Sequence, residues 1–106
     1  MLFTTDMIID RMNNAGSKFF CAENMRGASS RVLEDTWQGN NDHVFFVTSE
    51  KDKYASKPLR KYSVRCYSIA ENRILPSNGH YMAYASARTA KSAAKAIATV
   101  EKNEAK

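Results

Sequence analysis

The side chains in this chain that could carry chemistry are few and widely separated. His43 and His80 are the only histidines, Cys21 and Cys66 the only cysteines, and Glu34 and Asp35 are neighbouring acids. A metal site recruits three or four nitrogen, oxygen or sulfur ligands, usually at short recurring spacings. Neither histidine has an acid pair or a cysteine at such a spacing, so no metal and no cofactor is expected. A catalytic thiol needs a base held beside it. No local signature supplies one here, and both cysteines read as reduced thiols, with burial as a small hydrophobe the ordinary state. Glu34 and Asp35 fall on a candidate strand, where adjacent side chains point to opposite faces, which rules against an acid–base couple. No glycine-rich phosphate loop occurs, and the reading is a protein without enzymatic activity.

Charge is the more informative signal. Residues 1–50 hold four Lys/Arg against seven Asp/Glu, and residues 51–106 hold twelve against four, so the halves carry −3 and +8. Sign segregation of this kind in a small protein points to an acidic partner, either nucleic acid or an acidic protein surface. Two cationic clusters stand out. Arg60, Lys61 and Arg65, with Tyr67 beside them, lie on a candidate strand. Arg88, Lys91, Lys95 and Lys102 fall within about 60° of one another on a candidate helix at about 100° per residue. A lysine row is often only a solvated helix face. Here it is single-signed until Glu101, and Arg60, Lys61, Arg65, Tyr67, Arg88, Lys91 and Lys95 are the candidate binding residues.

These side chains must be placed by one α+β domain over 1–106, since the length suits a single core. Residues 1–30 read as a helix and a connector. Met7, Ile8 and Met12 sit near helical spacing, Thr4 or Thr5 is the N-cap, and Gly16 lies past the end. Residues 17–30 fit either a helical turn or an irregular connector. Residues 31–85 read as a three- to four-stranded antiparallel meander. Residues 31–37 and 43–49 flank Gln38–Asp42, whose Gly and Asn residues tolerate the positive φ of a hairpin loop. Phe45 and Val47 alternate with Val44 and Phe46, which predicts burial on both faces and a central strand. Residues 59–69 alternate Tyr62, Val64 and Cys66 with Lys61, Ser63 and Arg65, which predicts one wet, basic face. Residues 73–85 resume as a strand interrupted at Pro76–Gly79. Phe19, Phe20, Phe45, Phe46 and Trp37 are expected in the core, and Tyr54, Tyr67, Tyr81 and Tyr84 at exposed or interface positions. Ser86 caps a helix running over 86–102, packed on one sheet face through Ala90, Ala94, Ile97 and, at the margin, Val100, with 103–106 a frayed tail. The chain lacks a basic leader followed by an apolar core and any run of membrane-spanning length, so a cytoplasmic location and no membrane partner are expected.

Ser86-Ala87-Arg88-Thr89-Ala90-Lys91-Ser92-Ala93-Ala94 resembles the final helix of double-stranded-RNA-binding domains. That resemblance implies direct nucleic-acid binding with Arg88 and Lys91 on phosphates. A broader resemblance rests on Asn14-Ala15-Gly16-Ser17, Asn24-Met25-Arg26, Ser30-Arg31-Val32, Phe46-Val47-Thr48-Ser49-Glu50, Arg60-Lys61-Tyr62-Ser63-Val64-Arg65 and the Ala-Lys helix. With these the chain resembles a group of small accessory proteins encoded by bacteriophages and plasmids. The implied role is a non-enzymatic inhibitor of host defence or nucleic-acid machinery, anti-CRISPR-like or similar, acting in a bacterial cytoplasm on a host protein or nucleoprotein complex.

Overall fold

The computed structural model describes residues 3–18, 20–25, 30–51, 60–75 and 83–104. The Pro76–Gly79 interruption, the polar stretch 52–58, Phe19, Tyr54, His80 and Tyr81 lie outside them. The first helix, α1, is Thr5–Asn14. Thr4, in extended conformation, accepts from the Met7 amide and is the N-cap. At the other end Ser17 N–H returns to the Met12 carbonyl and Gly16 N–H to Asn13, a double closure that needs the positive φ of 85° at Gly16. The connector resolves into a one-turn helix, α2 (Ala22–Met25), tied to α1 by the Asn13 side chain, which accepts from the Ala22 amide.

β1 (Ser30–Gln38), β2 (His43–Lys51) and β3 (Arg60–Ser68) form an antiparallel meander. The fourth position in the sheet is shared by two short strands, β4 (Arg73–Ile74) and β5 (Ala83–Tyr84), which pair with opposite ends of β3. Tyr67 faces Ile74 and Tyr62 faces Tyr84, so five steps along β3 correspond to ten along its partner. β2 is central, and Val44, Phe45, Phe46 and Val47 are all buried, as the double alternation requires. β1 carries an irregularity between Val32 and Thr36, where four steps face two on β2.

The sheet separates two cores. On one face Phe45, Val47, Val64 and Cys66 pack against Ala90, Ala94 and Ala98 of α3 (Ala87–Glu104), flanked by Leu33, Trp37, Tyr62 and Tyr84. On the other, Val44, Phe46 and Tyr67 pack against Phe3, Ile8 and Met12, so α1 covers the face opposite α3. Ser86 caps α3 as its sequence predicts: its hydroxyl accepts from the Thr89 amide and its carbonyl from Ala90 N–H. The helix continues through residues 103 and 104, expected to fray, because Glu101 is fastened to the sheet as described below.

Several expectations are corrected. The buried line of α3 is Ala90, Ala94 and Ala98, whereas Val100 is 56% exposed. Relative to the expected face the helix is rolled by roughly 50° toward Lys91. The reason is size: three alanines one turn apart let the helix backbone approach the sheet, with Ile97 packed at the margin of that core and Val100 outside it. The basic face of β3 is not wet along its length either. Ser63 and Tyr67 are buried, and Tyr84, expected at an exposed position, is half-buried against the α3 core. The β1–β2 loop, Gly39–Asp42, closes without a positive φ, since among the described residues only Gly16 and Asn72 have one.

Candidate functional site

Strand parity decides where the predicted cations go. Lys61, Arg65 and Tyr67 share the α1 side with Glu50, Phe46 and Val44, their partners on β2. Arg60 shares the α3 side with Tyr62, Val64 and Cys66, and its guanidinium donates to the hydroxyl and carbonyl of Ser49. Arg88, Lys91 and Lys95 belong to α3. The candidate residues are therefore divided between the two faces of the sheet and do not form one patch.

On the α1 side the chemistry is internal. Arg65 donates to Glu50 Oε1 at 3.0 Å and to Thr48 Oγ1 at 3.0 Å, and its guanidinium lies 5.4 Å from the centre of the Phe20 ring. Thr48 donates to the same Glu50 oxygen at 2.6 Å. Glu50 Oε2 is buried with no hydrogen-bond partner among the described residues, opposite Lys61 across the strands. Tyr67 is fully buried; its hydroxyl donates to Asn72 Oδ1 at 2.6 Å and accepts from Arg11 at 3.1 Å. Tyr67 is thus a core residue and not the exposed stacking surface predicted, because α1 and Phe3 close over the end of β3 where it sits.

The α3 side keeps a cationic surface. Lys91, drawn inward by the helix roll, pairs with Asp35 of β1 at 2.9 Å. Arg88, Lys95 and Lys102 are exposed and, among the described residues, carry no ion pair. They recur every seven residues, which sets them about 10 Å apart in a row nearly parallel to the axis. The chain belongs to DUF7447, a family of unknown function. The family pattern matches residues 4–95, from the cap of α1 to the middle of α3, and so takes in Arg88 and Lys95 but stops short of Glu101 and Lys102. No curated protein and no solved structure matches the chain.

A second assembly was not visible in the sequence. His43, the first residue of β2, directs Nδ1 at Oε1 of Glu101 in the last turns of α3, and the Asn40 side-chain amide donates to the same oxygen. The turn that aims His43 is held by side chains. Asn40 Oδ1 accepts from the amides of Asp42 and His43, and Gln38 donates to the carbonyls of Asn40 and His43. Asp42 fastens the turn to the end of β3 by accepting from Ala70 N–H at 2.6 Å and Ser68 Oγ at 2.7 Å. Those bonds to the charged form, the Ala70 amide first, hold the Asp42 carboxyl below its ordinary value of 3.8. Gly39 leaves room for the helix: a Cβ there would stand 2.8 Å from Phe45 and 3.0 Å from Glu101. Beside this clasp runs an open groove of about 520 Å³ lined by Phe45, Ala96, Ile97, Val100 and Glu104 together with His43 and Glu101. That a loop joins the two strands here was legible in sequence; the spatial role of Gly39 and the partner of His43, 58 residues away, were not.

Proposed function

We propose that this protein acts by binding and not by catalysis, docking the outer flank of α3 on an acidic surface of a host protein or nucleoprotein complex. The observation that carries the reading is the row Arg88, Lys95 and Lys102, exposed on one helix flank and free of carboxylate partners among the described residues, whereas Arg65, Arg73 and Lys91 are ion-paired. Single-signed side chains on one rigid helix steer association and favour an anionic face without any pocket. The accessory role implied by the resemblance to phage and plasmid proteins, inhibition of host defence or nucleic-acid machinery, fits a small surface of this type. Lys61, Arg65 and Tyr67 are not part of it.

The test is capture from a bacterial lysate with the native chain and with Arg88→Glu/Lys95→Glu/Lys102→Glu, before and after nuclease treatment. A partner retained after nuclease and lost in the triple variant supports the proposal. Equal capture by both chains overturns it. Capture abolished by nuclease transfers the site to nucleic acid; with about three phosphate contacts, log K against log salt would then slope near −3.

A further inference from the structure

The flank of α3 facing away from the cationic row has the opposite chemistry. Ala96, Ile97, Val100, Glu101 and Glu104 follow one another along it, and with Phe45 and His43 they line the groove. Among the described residues the lining contains no Lys or Arg, although the chain carries a net charge of +5. Its walls are apolar. Val100 is the one large aliphatic side chain left exposed among the described residues. Glu104 is exposed at the rim with no ion pair among the described residues.

We propose that this groove seats an amphipathic basic helix of a partner protein, with an aliphatic side chain against Ile97 and Val100 and a Lys or Arg one turn away on Glu104. Charge complementarity selects that occupant. An acidic segment would meet Glu101 and Glu104, and an uncharged one would leave the Glu104 carboxylate unused. Length agrees: from Ala96 to Glu104 the groove extends about 12 Å, two turns of helix, which suits anchors spaced i, i+4 and i+7. Preorganisation agrees too, since the clasp of His43, Asn40 and Glu101 fixes the far wall before any partner arrives, so little ordering is left to oppose binding. This surface is separate from the cationic row and takes a partner of opposite charge.

The experiment is a methyl-resolved NMR titration of the full chain with a short amphipathic helical peptide of leucine and lysine, and in parallel with its leucine and glutamate counterpart. The net charge of +5 favours the glutamate peptide overall, so a preference for the lysine peptide at the groove is discriminating. The lysine peptide should shift the Ala96, Ile97 and Val100 methyls and bind at least about tenfold more tightly there than the glutamate peptide. Val100→Asp and Glu104→Lys should each weaken it by about tenfold or more with an unchanged unfolding midpoint. Unmoved methyls, equal response to both peptides, or undiminished binding to Glu104→Lys overturns the proposal. Shifts of these methyls with protein concentration alone would assign the groove to a second copy and overturn it equally.

Discussion

His43 Nδ1 and Glu101 Oε1 join the start of β2 to the last turns of α3 across 58 residues of chain. Both side chains are mostly buried, and Asn40 donates to the same carboxylate oxygen. Hydrogen bonds to a charged group contribute about 1.5–3 kcal/mol when solvent is largely excluded. Glu101→Ala should therefore lower stability by about 2 kcal/mol. Chemical denaturation of His43→Ala, Glu101→Ala and the double variant should give a coupling energy above about 0.5 kcal/mol; strict additivity would mean the contact carries no energy.

Gly39 is required for space and not for its backbone angles. Gly39→Ala would drive a methyl into Phe45 and Glu101, and the cost of such overpacking is about 1–3 kcal/mol. Hydrogen exchange should show faster opening of the last two turns of α3, with the Ser86 end unaffected. Uniform protection along the helix would contradict this.

Asp42 gives the turn an acid sensitivity whose sign is determined. Its folded pKa is depressed, so its stabilisation is complete above the ordinary carboxyl value of 3.8 and is lost as pH falls through the lower folded value. Asp42→Asn lacks that charge. The difference in melting temperature between native chain and variant should be constant from neutral pH to about 5 and shrink below about 4; a difference that grows on acidification would reverse the assignment.

Arg65 and Glu50 form an internal pair and not a docking surface. Arg65→Met leaves a carboxylate of low exposure with Thr48 as its hydrogen-bond donor among the described residues, at a cost of about 2–3 kcal/mol. Glu50→Met/Arg65→Met should recover most of that loss in urea unfolding, because both charges are then gone. A double variant weaker than Arg65→Met would show that the pair itself is the stabilising element.

The roll of α3 separates two residues that look alike in sequence. Ala94→Leu should cost about 1–3 kcal/mol by overpacking the helix–sheet contact, whereas Val100→Ser should change stability by no more than about 0.5 kcal/mol. Parallel thermal melts decide it; a large effect at Val100 would mean the helix sits closer to the face its periodicity suggests.

Local chemistry was enough to read much of this protein. Thr4, Gly16 and Ser86 mark helix ends because caps satisfy backbone groups within a few residues. The alternation of Val44 to Val47 placed β2 in the middle of the sheet because period-two patterns report burial directly. The α+β class followed from these signals. Tertiary structure decided the rest. Which cations share a surface depends on strand parity and on which face each helix covers, and these put Lys61 and Arg65 on the side away from Arg88 and Lys95. Which side of α3 is buried depends on how closely alanine lets it approach, a packing quantity that helical periodicity leaves open within one residue's arc. The meeting of His43 with Glu101, and the groove beside it, exist only because β2 begins where α3 ends, at one edge of the fold, across a distance along the chain over which no residue pattern carries information.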